Sequence, residues 1–397
     1  MRPRTVLSME QALSLSYGTL RFVQLGWRVI RLESTPRPGE KTPGDPNRYV
    51  GRAAAGADRR SYFLAPNVGK EALAIDLKQE RGRDLLFRIV RDLPVDVFAA
   101  NTLPRRYEEL GIDYETLSRA NDNLIWVGVS ALGPDHPDVP GYDPMMQALL
   151  GYMDLTGQPD GPPTLMGVPM IDLKAGDEVF AQTMRALAEQ AEGGGGGGAR
   201  IDVSMGRAAA SWLQMTLPLL DLGASTEDIR RSGNDHREFV PVNVYETADS
   251  WLYLAIGNDV QWQRLVALTP FASLARQSRE TNEGRKAERA AIHAKLAAAI
   301  RSRRTDELLA LLRQAGLVVA PVNSVSAVRE MPGIREHLIR TSLPDGRQVR
   351  LPPAAVETGR REFPLAPHYG EHTRKILEET GLEESAIENL VREGVVR

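Results

Sequence analysis

The chain has 397 residues, 42% of them hydrophobic and 25% charged, so two globular domains are expected. The net charge of −3 gives no electrostatic reason to expect nucleic acid or an anionic membrane as partner. There is no cysteine, which excludes disulfides, thiolate metal sites and a cysteine nucleophile and fits a reducing cytoplasm. The opening stretch MRPRTVLSMEQALS has no apolar core long enough for a signal peptide, and no apolar run approaches the ~18 residues of a membrane span. A cytoplasmic protein is expected.

Residues 10–25 place Leu13, Leu20 and Val23 at helical spacing, and Gly26 follows as a terminator. Arg28–Leu32 reads as a strand, and the Pro-, Gly- and Arg-rich residues 34–66 as a long surface loop. Leu73–Leu77, Val95–Ala100 and Leu124–Ser130 read as strands separated by helical stretches, one of them running to Val90. That alternation predicts parallel βαβ units in an α/β domain.

Pro/Gly-rich loops follow at 133–144 and 157–170, then a helix from Asp172 to about Glu192. Gly193–Gly198 are six consecutive glycines without the GK[ST] of a phosphate loop, so they read as a flexible turn. Ile201–Ser204 reads as a strand and 206–222 as a helix. From about 225 the pattern becomes that of a smaller α+β domain. It has two strands within Phe239–Ile256, helices at 259–268, 285–301 and 305–315, and a strand at Val318–Val322. The final stretch, 369–395, predicts two short helices.

Most motifs with chemical meaning fail on context. His368 and His372 match the spacing H-x-x-E-H, but Pro364, Pro367 and Gly370 oppose the continuous helix that such zinc ligands need. His136, His236, His293 and His337 stand alone. No G-x-S-x-G elbow and no G-x-G-x-x-G after the first strand occurs. Asp172 is more informative. By spacing alone it reads as a helix N-cap, since aspartate is a strong capping residue. The same position would surround a carboxylate with free N–H groups, which favour its ionised form and could serve a thioester as an oxyanion hole. Gly161 and Gly167 upstream would let a ligand approach the backbone.

Several local patterns then fall into one order. Leu25–Glu33 (LGWRVIRLE) resembles LGA-x-VIKVE, Gly44–Arg48 resembles GDP-x-R, and Asn67–Lys78 resembles N-R-G-K-x-S-x-x-L-D-L-K. Asn101–Pro104 with Leu110-Gly111, Tyr142–Gly151, Thr156–Pro163, Ile201–Met205, Phe239–Trp262 and Gly370–Thr373 continue the series. Together they resemble the class III CoA-transferases, the formyl-CoA, carnitine and benzylsuccinate CoA-transferase type. The late Gly-Glu-His-Thr match also removes the case for zinc; no metal is expected.

The resemblance implies an α/β fold, with a large Rossmann-like domain whose parallel sheet is formed by both chain ends, a smaller α+β domain, and an interlocked dimer. The implied division is 1–224 and 331–397 for the large domain and 225–330 for the small one. It implies transfer of CoA from an acyl-CoA, by family habit succinyl-CoA, to a carboxylic acid. Asp172 falls on the nucleophile, passing through an aspartyl anhydride and an aspartyl-CoA thioester. Lys78 and Asn101 match CoA-contacting positions, and Thr102, Ile75 and Arg48 are carried over with them. Tyr142, Asp143 and Gly167 match the substrate pocket.

Two departures stand out. Ser14-Leu15-Ser16 replaces the family's Ala-Gly-Pro, and Glu109 sits where some members carry a CoA-binding arginine, for which Arg105 or Arg106 would compensate. Two other readings remain. An α-methylacyl-CoA racemase would use a histidine in Gly-His-Asp, but this chain has Gly141-Tyr142-Asp143, and tyrosine, with a reference pKa of about 10, is a poor base. A non-catalytic or co-catalytic subunit of a heterodimer with a homologous chain is the other.

Overall fold

The computed structural model describes residues 4–36, 39–194 and 196–397. The chain divides into two compact units. The first takes Met1–Leu150, Met166–Asp221 and Glu336–Arg397, and the second takes Gly151–Leu165 and Leu222–Arg335.

The first unit is built on six strands: β1 (Thr5–Met9), β2 (Arg28–Glu33), β3 (Glu71–Ala74), β4 (Val95–Ala100), β5 (Ile125–Ser130) and β6 (Ala199–Ser204). They form one all-parallel sheet in the order β3-β2-β1-β4-β5-β6. This is the doubly wound order, which reverses between β1 and β4 and opens a crevice at their carboxyl ends. Every residue of β4 is buried, as a parallel strand covered on both faces requires.

The larger helices here are α1 (Ser14–Gln24), α2 (Ser61–Asn67), α3 (Glu80–Asp92), α4 (Asp143–Leu149) and α5 (Met170–Glu192). The spacing of Leu85, Leu86, Ile89 and Val90 puts one apolar stripe of α3 into the core. Gly26 ends α1 at φ +80°, and Trp27 N–H donates back to Phe22 O.

Four expectations shift. β1 is one of the two central strands, yet its five residues stand next to the helical pattern of α1 and carry no strand signal of their own. The strand expected at 73–77 runs Glu71–Ala74 and leaves the sheet at Ile75, where the Asp76 carboxylate accepts the Lys78 N–H at 3.1 Å and turns the chain. The loop at 34–66 contains α2. The helix expected at 206–222 is two pieces, Met205–Ala210 and Leu217–Asp221, because Pro218 would collide with the preceding turn of a continuous helix. Of the glycine run, Gly195 lies outside the described residues.

The second unit has an antiparallel sheet of β7 (Val242–Glu246), β8 (Trp251–Ala255) and β9 (Val318–Pro321). It is covered by α6 (Asp259–Val266), α7 (Arg289–Arg301) and α8 (Thr305–Gln314) around Trp262, Phe271 and Leu296. Residues 151–165 join it through Asp154, which pairs with Arg231 at 3.0 Å.

The chain then returns to the first unit as a hairpin, β10 (Ile339–Ser342) and β11 (Gln348–Leu351), and as α9 (Thr373–Glu379) and α10 (Glu384–Arg392). This end adds no strand to the six. It covers the edge strand β3 instead, an edge that would otherwise be free to pair with another chain. His372 N–H donates to Ala72 O, Thr373 Oγ1 accepts the Ala74 N–H, and Val396 bridges Ile75. Among the described residues no helix is long and apolar enough to cross a membrane.

Candidate active site

A cavity of about 540 Å³ opens at the reversal point of the sheet. Its wall takes Gln11, Ala12 and Ser14 after β1, Asn101, Thr102 and Leu103 after β4, and Ile75 to Lys78 after β3. Arg106, Tyr142 and Asp172 also line it, and every described lining residue belongs to the first unit. Asn101 pins the two central strand ends together. Its Oδ1 accepts the Gln11 N–H at 2.9 Å, and its Nδ2 donates to Gln11 O at 2.7 Å. Ala12, at φ +56°, is a non-glycine residue held in the left-handed region at the cavity wall, a conformation that surrounding structure must enforce.

Asp172 is the third residue of α5, not its cap. The cap comes from elsewhere. Asp143 Oδ2 accepts the N–H of Ile171 at 2.8 Å and of Asp172 at 3.3 Å, while Asp143 Oδ1 accepts from Gln147 Nε2 at 2.6 Å. The capping role and the free first-turn donors expected at Asp172 are both corrected by this geometry. Asp143 fills the cap, and these two N–H groups are not free to form an oxyanion hole. The expected bias toward ionisation is corrected too. Burial, reinforced by the Asp143 charge, pushes the Asp172 carboxyl up to about 7, against the pull of a hydrogen bond from Ser14.

The carried-over residues divide. Lys78, Asn101, Thr102, Ile75 and Arg106 line the cavity with Asp172 and Tyr142. Tyr142 is 68% exposed. Arg106 is engaged by Glu109 at 3.3 Å on the surface, and Arg105 pairs with Asp138 instead. Asp143 and Gly167 do not line the cavity; Asp143 is buried behind Asp172, and Gly167 is exposed.

Arg48 is fully buried and has no surface to give a ligand. It donates to Glu33 through Nε at 2.8 Å and Nη2 at 2.5 Å, and to Pro367 O at 2.9 Å. It belongs to a buried ionic cluster. Arg31 meets Asp45 at 3.0 Å, and Lys70 meets Glu10 at 2.6 Å and Thr19 Oγ1 at 2.7 Å. Phe63 lies under both guanidinium groups, 4.5 Å from Arg31 and 3.9 Å from Arg48. Burial alone would raise the Glu10 carboxyl, but Lys70 and Arg31 outweigh it and hold it below the usual range. Burial brings Lys70 down to about 8. The cluster shapes the cavity through Glu33 and Asp45, both on its wall.

Sequence reasoning named Asp172 and the residues after β3 and β4. It did not connect Asp143 or Ser14 to Asp172, nor Arg31 and Lys70 to the cavity's support. One signal was present: an arginine inside a strand covered on both faces must be paired.

The histidines expected to stand outside the chemistry have partners of their own. His368 Nδ1 meets Asp58 at 2.8 Å, and His372 Nδ1 accepts the Ala72 N–H at 3.2 Å.

A doubly wound parallel sheet with Asp172, Lys78 and Arg106 on its switch-point crevice defines an α/β protein with a ligand-sized cavity at the strand ends. The comparisons narrow this. The model of CoA-transferase family III matches residues 2–373, and the chain belongs to that family, whose substrates include CoA thioesters. It is 32% identical over 331 residues to the acetyl-CoA:oxalate CoA-transferase of Acetobacter aceti, covering 82% of each chain. It is 28% identical over 402 residues to the succinyl-CoA:glutarate CoA-transferase of Mus musculus, covering 98% of this chain and 89% of that one. Among solved structures it is similar to a CAIB/BAIF family protein from Brucella suis, with TM-score 0.80, 29% identity, and 95% and 98% of the two chains covered. The protein is an enzyme of CoA transfer.

Proposed function

We propose that the chain moves CoA from an acyl-CoA donor to a short dicarboxylic acid, with Asp172 as the covalent carrier. The observation that carries this reading is the position of Asp172. It is a half-buried carboxyl group, pushed up to about 7, on one crevice with Lys78, Asn101 and Arg106. A carboxylate that titrates near neutral pH is available as its anion and is a stronger nucleophile than an exposed aspartate.

The chemistry balances without an outside reagent. An Asp172 oxygen attacks the donor carbonyl, forming the mixed anhydride and releasing CoA thiolate. The thiolate attacks the Asp172 carbonyl carbon, forming aspartyl-CoA and releasing the donor's acid. The acceptor carboxylate attacks that thioester, and the thiolate then takes the acceptor's acyl group from the second anhydride. The thioester energy is kept throughout. Lys78 and Arg106 suit CoA phosphates as charge partners.

The named activities of the relatives support oxalate- or glutarate-sized acceptors and acetyl- or succinyl-CoA donors. A second copy of the chain is the proposed partner, in the interlocked dimer of the family. Exposed Trp212, Met215 and Leu217 support a surface that another chain covers. The reaction is placed in the cytoplasm, in keeping with a chain that has no cysteine.

The test is chromatographic assay of the purified chain with acetyl- or succinyl-CoA and oxalate, glutarate or mesaconate. New acyl-CoA without any added subunit supports the reading. Full activity in Asp172→Ala overturns the role of Asp172, and activity only with a homologous partner overturns the homodimer.

A further inference from the structure

Ser14 and Asp172 line the same crevice, and the Ser14 hydroxyl pulls the Asp172 carboxyl down against the upward push of burial. Two helices bring these residues together. α1 begins at Ser14, α5 carries Asp172 in its first turn, and they cross at a pair of glycines. A Cβ on Gly18 would stand 2.9 Å from Gly176 O, and one on Gly176 would stand 2.6 Å from Ser14 O. Only glycines permit that approach. Ser14 is buried, and the N-cap residue of α1, Leu13, makes no side-chain capping bond. Ser14 lines both the large crevice and an adjoining cavity of about 50 Å³ with Ser130 and Met205.

We propose that Ser14 is a positioning residue for Asp172, holding the carboxylate oxygen that does not attack the donor. This rests on the reading of Asp172 as the covalent carrier. The geometry gives the hydroxyl two tasks. Before attack it fixes the carboxylate rotamer and favours the anion. After the anhydride forms, the held oxygen is the Asp172 carbonyl oxygen. When CoA thiolate bonds to that carbonyl carbon, the oxygen takes up negative charge, and it returns the charge as the anhydride C–O bond breaks and the donor's carboxylate leaves. The hydroxyl donates to this oxygen throughout and transfers no proton. It thereby supplies a donor that the α5 N–H groups held by Asp143 do not.

The test compares wild type, Ser14→Ala, Ser14→Thr and Asp172→Ala as full-length proteins. The readout is the rate of CoA release from acetyl- or succinyl-CoA, whichever the wild type uses, across pH. Ser14→Ala is expected to lower the plateau rate about tenfold, the worth of one hydrogen bond of ~1.4 kcal/mol, and to move the midpoint upward with KM little changed. Ser14→Thr keeps the hydroxyl and is expected to restore plateau and midpoint. A Ser14→Ala plateau and midpoint equal to wild type overturn the proposal, as does a loss confined to KM. Activity retained by Asp172→Ala sinks the underlying reading instead. An inactive Asp172→Ala beside an unaltered Ser14→Ala sinks only the role of Ser14.

Discussion

Asp143 accepts the backbone N–H of Asp172 at 3.3 Å, so the carboxylate that caps α5 stands directly against the carboxylate proposed to do the chemistry. One residue secures the helix and makes its neighbour harder to ionise.

The pH dependence follows from this pair. Asp172 titrates near 7, raised from its ordinary 3.8. The rate of donor attack is expected to rise with pH through about 7 and then level off. Stability runs the other way. Between the ordinary and the raised value the folded state holds a proton that the unfolded chain has released. Stability therefore falls as pH rises across that window and is lowest above it. Asp172→Asn is expected to raise Tm at pH near 8 and to leave it unchanged near pH 4. At ~1.4 kcal/mol per pKa unit, the gain is on the order of 2–4 kcal/mol. Denaturant titration at both pH values checks the sign.

Asp143→Asn separates cap from charge. The amide oxygen can still accept from the α5 N–H groups, but its NH2 then opposes the Gln147 amide, which donates to Asp143 Oδ1 at 2.6 Å. A loss of roughly 1–2 kcal/mol of stability is expected. The midpoint of the rate profile is expected to move down, because the like charge is gone. An unmoved midpoint would show that burial alone sets it.

Gly176→Ala tests the helix crossing. The new methyl would meet Ser14 O at 2.6 Å and Gly18 N at 2.9 Å, both backbone atoms that cannot swing away. The first turns of α1 and α5 must part. A cost of about 1–3 kcal/mol is expected, together with a loss of turnover larger than the stability change explains. Urea unfolding and an assay at a temperature where the variant is folded measure the two separately.

At the mouth of the crevice, Lys78→Met is expected to raise KM for the acyl-CoA several-fold and to flatten its salt dependence. Glu109→Gln is expected to do the reverse, because Glu109 ties up Arg106 in an exposed pair. Exposed pairs are weak, so that change is a few-fold at most. Initial rates at low and high salt read both variants.

The sequence carried the alternation of β4, β5 and α3, because their apolar spacing is regular and their ends are marked. It carried Asp172 as a candidate only through the ordered motifs around it. β1 was hidden because Thr5–Met9 is short and continuous with the helical pattern of α1. The cap at Asp143 was hidden because its partners lie 28 and 29 residues away across a loop. Arg48 sat in a motif whose order was legible, but burial is a property of the packed cluster with Glu33 and Phe63. Ser14 was visible only as a departure from Ala-Gly-Pro, and its contact with Asp172 needs the two glycines in register.

The central claim is that Asp172 carries the transferred group. Wild-type protein is mixed with the acyl-CoA it turns over, quenched with hydroxylamine, digested and read by mass spectrometry. An aspartyl hydroxamate on the peptide containing Asp172, absent without donor, is the predicted result. An unmodified Asp172 peptide during active turnover, or full transfer by Asp172→Ala, would contradict it.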